Sequence, residues 1–268
     1  MEEIKYKKQY GQNFIYDTNL LRALVCDASV TKNDEVLEIG VGVGSLTKCL
    51  CEKAKKVVCY EIDESLKERI YSNLESFDNF EINFKDIMNV DSEEINNKFE
   101  NSFKIVANLP YYITSPIIFK FLEGNYKLES LAIMVQKEVA DRICSKENSK
   151  DYGILSVMIQ SQADVKVVRN INRNMFMPVP NVDSSFVLIN INKSKFNILN
   201  KEKYRKFISK CFSMRRKTLL NNLKDYCNKD ILINALKNLN LSENVRSEQI
   251  SVDTFVKIFT CLSSQKSE

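Results

Sequence analysis

The residues with the clearest chemical meaning are Asn108-Leu109-Pro110-Tyr111, which close the apolar run Phe103 to Ala107. An Asn side-chain carbonyl and a neighbouring backbone carbonyl can accept the two N–H bonds of an exocyclic ring amine and favour the pyramidal geometry in which its lone pair can attack. Proline removes a competing backbone donor and stiffens the turn. Tyrosine supplies a flat face for an unstacked base. Asn and Pro also serve simply to end strands, so the tetrapeptide acquires this reading only with a matching cofactor site.

Such a site is legible upstream. The strand-like Glu35-Val36-Leu37 runs into Glu38-Ile39-Gly40-Val41-Gly42-Val43-Gly44 and then into Ser45-Leu46-Thr47-Lys48-Cys49-Leu50. A short apolar strand, a glycine turn and a helix start form the first βα unit of a doubly wound sheet, and glycines such as Gly40 and Gly42 let a ligand approach the backbone. About 20 residues beyond the first glycine, as in nucleoside-binding units, Val57-Val58-Cys59-Tyr60 ends at Glu61, which can accept ribose hydroxyls. The third glycine comes one position early for the dinucleotide pattern, so S-adenosylmethionine suits the turn better than NAD. Phe80 to Phe84 alternates as another strand and leads to Asp86, which can accept an adenine amino group or cap a helix. The combination points to methyl transfer onto N6 of adenine. No covalent enzyme intermediate and no dedicated base are required.

Taken in order along nearly the whole chain, these motifs resemble the KsgA/Dim1 family of ribosomal RNA adenine dimethyltransferases, its bacterial branch in particular. Lys8-Gln9-Tyr10-Gly11-Gln12-Asn13-Phe14-Ile15 resembles the family's cofactor-covering segment. The resemblance implies cofactor contacts for Asn13 and Ile15, with Gln12 and Phe14 close by. It further implies cofactor roles for Gly40, Gly42, Glu61 and Asp86, and places Asn108 against both cofactor and target base. Tyr111 matches the residue that stacks on the target adenine. Phe176-Met177-Pro178-Val179-Pro180-Asn181-Val182-Asp183-Ser184 resembles a second target-base loop, in which Phe176 would cover the other face. Phe212 to Leu219 resembles the basic segment that opens the family's helical C-terminal domain, with Arg215, Arg216 and Lys217 as RNA-binding residues. Val41 and Val43 depart mildly from the smaller or polar residues frequent in that turn. The implied substrate is a pair of adjacent adenosines, each methylated twice, in a hairpin near the 3′ end of small-subunit ribosomal RNA within the immature small subunit. Alternatives are a macrolide-resistance methylase acting on the large subunit, a noncatalytic RNA- or DNA-binding factor, and a DNA adenine methylase. The Tyr112 to Pro116 continuation and the Phe176 loop resemble the small-subunit enzyme more closely.

The elements that must position these residues follow from pattern and composition. The expected fold is a Rossmann-like α/β methyltransferase domain over 1–195 with a smaller all-helical domain over 196–268. A chain of 268 residues with 44% hydrophobic content is large enough for both. The eight cysteines include no C-x-x-C pair and histidine is absent, which disfavours zinc fingers and histidine acid–base chemistry; no metal is expected. No apolar run approaches a membrane span and the first residues lack a signal-like core, so a cytoplasmic monomer without membrane partners is expected. Charge is uneven. Residues 196–268 carry 14 Lys and Arg against 7 Asp and Glu, a surplus of +7, whereas the remainder, 25 against 28, carries −3. The surplus peaks in Lys201 to Lys217, where eight basic residues accompany only Glu202 and are interleaved with Tyr204, Phe207 and Phe212. That pattern suits a helix that packs on one side and meets phosphates on the other.

Overall fold

The computed structural model describes residues 13–192, 194–196 and 198–264. The apolar runs read from the sequence become parallel strands: β2 (Glu35–Ile39), β3 (Lys56–Glu61), β4 (Phe80–Phe84), β5 (Phe103–Asn108) and β6 (Leu128–Gln136), joined by β7 (Ala163–Ile171) and β9 (Ser184–Ile191). A short N-terminal strand, β1 (Phe14–Ile15), pairs antiparallel with β8 (Phe176–Met177) in a separate ribbon. The main sheet has the order β4-β3-β2-β5-β6-β9-β7. Pairs β2/β3, β3/β4, β2/β5 and β5/β6 are parallel, and β6/β9 is antiparallel. This is the expected Rossmann-like methyltransferase architecture, with helices α1 (Thr18–Asp27), α3 (Lys67–Asn73), α4 (Ser92–Asn96) and α6 (Lys137–Cys144) among the segments between its strands.

Burial explains the uninterrupted apolar character of the central strands. Every residue of β2 is buried, as are all but the last of β5, because parallel strands carry crossover segments on both faces. The sequence leaves β2 in one direction, toward β3 and β4, then returns to place β5 on its other side. Strand order therefore reverses between β2 and β5. The carboxyl ends of these strands are where a crevice opens in such a sheet.

Local signals set the first turns of the helices. Gly40, Gly42 and Gly44 all take positive φ (79°, 57° and 85°), and α2 (Ser45–Cys51) starts directly after them. Asp86 Oδ1 accepts the Met88 N–H at 2.9 Å and thereby caps a 3-10 turn at Ile87–Asn89. Helix α5 (Thr114–Glu123) begins at Thr114 because a 3-10 turn over Tyr111–Ile113 leads straight into it. Pro116 lies in its first turn, where a missing N–H costs nothing.

The chain forms two compact units: residues through Ala140 with Lys166–Ile191, and Asp141–Val165 with Asn192 onward. The expected boundary at 195/196 is thus moved and made discontinuous, since 141–165 joins the C-terminal helices. The packing explains why. Helix α7 (Ile154–Gln160) buries Ser156 to Ile159, the Tyr152 hydroxyl donates to Ile250 O at 2.9 Å, and Asn148 N–H donates to Glu248 O at 2.7 Å. Lys195, at the expected boundary, donates to Ala163 O and pairs with Asp164 at 2.6 Å. In α8 (Lys201–Cys211) the interleaved aromatics do face inward: Tyr204 and Phe207 are buried with Phe259, while Lys203, Arg205 and Lys206 remain exposed. Helices α9 (Leu219–Leu223), α10 (Lys229–Asn238) and α11 (Val252–Ser264) complete this unit. Among the described residues no helix is long and apolar enough to cross a membrane.

One core carboxyl stands out. Glu38, within β2, is fully buried; its Oε1 has no hydrogen-bond partner among the described residues, and the Cys59 thiol approaches its Oε2 at 3.7 Å. Burial pushes its pKa up to about 8. The folded state then holds a proton that the unfolded chain releases, so Glu38 erodes stability as pH rises from about 4.5 toward 8. Glu38→Gln should therefore gain on the parent protein by on the order of 2–4 kcal/mol between pH 5 and pH 8. Urea unfolding at both pH values measures the difference; parallel pH profiles would sink this account of Glu38.

Candidate active site

The carboxyl ends of β2, β3 and β5 surround a cavity of about 210 Å³ lying wholly within the first unit. Gly40 and Gly42 form one wall, Glu61 and Asp86 a second, and Asn108 and Tyr111 a third. Asn13 and Ile15 also line it, from β1 and the residue before it. Gln12 and the rest of Lys8 to Gly11 lie outside the described residues.

The glycine turn is shaped by what it touches. A Cβ at Gly42 would fall 2.5 Å from Phe14 Cε1, so a side chain there would collide with the N-terminal strand as well as strain a positive φ. At Gly40 the nearest atoms to a built Cβ are Asn108 O and Pro110 Cδ, both at 3.8 Å, which leaves the turn open on the side facing the tetrapeptide. The Glu61 carboxylate is nearly buried and accepts three backbone N–H bonds, from Gly42 to Oε2 and from Ile62 and Asp63 to Oε1, each at 2.9 Å. Burial raises its pKa, and those three N–H bonds oppose the rise. Oε2, with a single donor, retains capacity for a hydroxyl from the cavity. Asp86 combines both roles weighed for it: Oδ1 caps the 3-10 turn while the residue lines the cavity. Lys120 braces that loop by donating to Val90 O at 2.6 Å.

At the third wall the tetrapeptide is ordered by four hydrogen bonds. Asn108 Nδ2 donates one of its two N–H bonds to Asn13 O at 2.8 Å, which fixes the amide's orientation and leaves Oδ1 as its acceptor. Pro110 O accepts the Ile113 N–H and the Thr114 hydroxyl, so it is committed to the turn. The half-buried Tyr111 shares a 2.7 Å hydrogen bond with Ser184, and burial keeps its phenol neutral by raising its pKa. Tyr112, the next residue, also lines the cavity but is 61% exposed.

Phe176 departs from its expected place. It is 2% exposed, sits opposite Ile15 in the β1/β8 ribbon and packs in the core, and it does not line the cavity. The ring expected to face a base instead joins the core cluster that also holds Ile15 of β1. Among the residues that line or brace the site without a role assigned from sequence are Glu38, the second acid of β2 and the one just before the glycine turn, and Ser184, the last residue of the Phe176 segment. The first had a visible signal, a charge in a strand suited to burial. The second had none, because its partner is 73 residues away.

Arg215, Arg216 and Lys217 belong to the second unit and are all exposed. Their turn is held from beneath by the buried Asn222, whose Nδ2 donates to Cys211 O at 2.6 Å and Met214 O at 3.2 Å. Arg215 donates to Lys150 O at 2.5 Å. Among the described residues no group of three or more Cys, Asp or Glu is placed to hold a metal ion.

Comparison with known proteins identifies the family. The family of ribosomal RNA adenine dimethylases matches residues 3–264. The chain is 38% identical over 268 residues to the ribosomal RNA small subunit methyltransferase A of Clostridioides difficile, covering 98% of this chain and 93% of that one. It is 41% identical to the protein of the same name from Lactobacillus helveticus, covering 95% and 90%. Among solved structures, a dimethyladenosine transferase from Plasmodium falciparum superposes with a TM-score of 0.81 at 26% identity, over 94% of this chain and 98% of that one. The 23S rRNA methyltransferase ErmE shares the fold, with a TM-score of 0.71 at 24% identity over 94% and 100% of the two chains. With a family match over almost its full length and relatives at these identities, the chain belongs to the ribosomal RNA adenine dimethylases.

Proposed function

We propose that this protein transfers methyl groups from S-adenosylmethionine to N6 of two adjacent adenosines in the 3′-terminal hairpin of small-subunit ribosomal RNA, dimethylating each. Family membership and the names of the relatives at 38% and 41% identity support the RNA adenine class and the small subunit. The observation that carries the chemistry is the Asn108 amide, whose orientation is fixed by the Nδ2 bond to Asn13 O, so that Oδ1 is offered to the amine as an acceptor. The protein would act as a cytoplasmic monomer on an immature small subunit.

Bound S-adenosylmethionine would supply a methyl group on a sulfonium, a good leaving group. Glu61 would hold the ribose through Oε2, Asp86 the cofactor's adenine, and the Gly40–Gly44 turn would allow close approach of the rest. Asn108 Oδ1 and the Leu109 carbonyl would accept from the target amine, since Pro110 O is committed to the turn. These acceptors stabilise the positive charge that develops on N6 and fix the line of attack. The proton then leaves to water, because a methylated cationic amine is acidic. Tyr111 would stack on the base; a second face from Phe176 requires its ring to leave the core, where it is 2% exposed. The basic turn of the second unit would meet phosphates.

The deciding experiment incubates isolated small and large ribosomal subunits lacking the modification with protein and labelled cofactor, followed by mass spectrometry of the RNA. Dimethyladenosine should appear in small-subunit RNA alone; label confined to large-subunit RNA would overturn the proposal.

Glu61→Gln should weaken cofactor binding by roughly 1.5 to 3 kcal/mol, the worth of a charged acceptor, and leave RNA affinity unchanged. Calorimetric titration of a folded variant with wild-type cofactor affinity would remove Glu61 from the site.

For the target side, Asn108→Ala should slow single-turnover transfer at saturating RNA and cofactor by about 10²-fold or more, as for loss of one preorganised polar group. Tyr111→Ala should instead lower capture of the base, by the equivalent of about 1 to 3 kcal/mol of stacking. Asn108→Ala transferring at the wild-type rate would defeat its assigned role.

Charge reversal at Arg215, Arg216 and Lys217 should weaken RNA association and flatten its salt dependence by about one slope unit per lost phosphate contact. Cofactor affinity should not move. An unaltered salt slope in a folded variant would put the RNA footprint elsewhere.

A further inference from the structure

The hydrogen bond between Tyr111 and Ser184 joins two groups held very differently. Tyr111 stands on a single 3-10 turn and turns its ring toward the cavity. Ser184 is fully buried and opens β9, where it pairs with Gln136 of β6. Its chain neighbour Asp183 accepts the Arg173 N–H on Oδ1 at 2.9 Å, and the Asp183 carbonyl accepts the Lys137 N–H at 3.0 Å. The serine is therefore a fixed point of the sheet, and the tyrosine is the group that needs fixing. A bond at the far end of the ring sets where its long axis points. Because a phenol prefers to hydrogen-bond near its ring plane, the same bond also biases which way the face turns.

We infer that Ser184 is a positioning residue for the target base: its hydroxyl holds the Tyr111 ring in the orientation on which adenine stacks. The inference rests on the stacking role proposed for Tyr111. It gains weight from the burial of Phe176, which leaves the half-buried Tyr111, with the more exposed Tyr112, as the aromatic residues of the tetrapeptide turn that line the cavity. An unanchored ring would still be apolar and flat, but it would sample orientations that place the amine away from Asn108 Oδ1.

The test is a double-mutant cycle in single-turnover methyl transfer to unmodified small subunits, using wild type, Ser184→Ala, Tyr111→Phe and the double variant. Each single change should lower kcat/KM for RNA about fivefold, the factor expected for one neutral hydrogen bond, with the loss in RNA KM and none in cofactor affinity. The double variant should be no worse than either single one, because all three lack the same bond. RNA carrying 2-aminopurine at the target position provides a second readout: stacking quenches its fluorescence, and Ser184→Ala should reduce the quenching. Losses that multiply to about 25-fold in the double variant, the product expected of two independent sites, or single variants at wild-type kcat/KM, overturn the inference alone. If Ser184→Ala does not fold, Ser184→Thr, which keeps a hydroxyl, should outperform Tyr111→Phe, and equal activity of the two overturns it. A wild-type protein that transfers no methyl to adenosine overturns both the proposed function and this inference.

Discussion

The site depends on the reversal of strand order between β2 and β5. Parallel strands with right-handed crossovers must send their connections to opposite faces when the chain winds first one way and then the other. The loops leaving two adjacent strands consequently diverge, and a crevice opens between them at the strands' carboxyl ends. The glycine turn after β2 and the tetrapeptide after β5 flank that crevice, while Glu61 ends β3 and Asp86 follows β4. These segments are up to some 70 positions apart in sequence, and one topological choice brings them together.

Economy of polar groups marks the cofactor side. Glu61 ties the glycine turn to the start of the next loop through three N–H bonds, so the group that would bind ribose also sets the walls around it. Asp86 caps a turn and faces the cavity at once. Such double use means that substitutions at these positions disturb shape together with binding, and a conservative Glu61→Gln is the more informative probe than truncation. Glu38 is the opposite case: a buried acid whose Oε1 lacks a hydrogen-bond partner among the described residues and whose proton is retained to about pH 8, at a cost to stability that rises with pH.

The N-terminal strand couples the walls. Asn13 O holds the Asn108 amide, the Phe14 ring occupies the space a Gly42 side chain would need, and Ile15 lies opposite Phe176. Three residues thus touch the transfer motif, the glycine turn and the loop leading to Ser184. The second unit uses the same device on a smaller scale, with Asn222 reaching under the basic turn to hold two carbonyls in place.

Much of this was legible from the chain. Asn108, Glu61, Asp86 and the glycines lie at strand ends, and strand ends are readable from apolar runs and turn residues because both are local properties. The inward face of α8 was likewise evident in the spacing of Tyr204 and Phe207 among lysines. What required the tertiary structure were pairings between distant segments. The attachment of 141–165 to the C-terminal helices rests on Tyr152 reaching Ile250, 98 residues away. The burial of Phe176 accompanies its pairing with Ile15 of β1, and the role proposed for Ser184 rests on its bond to Tyr111. Periodicity and turn chemistry record which face of an element is apolar and where it ends, but not which remote side chain meets that face.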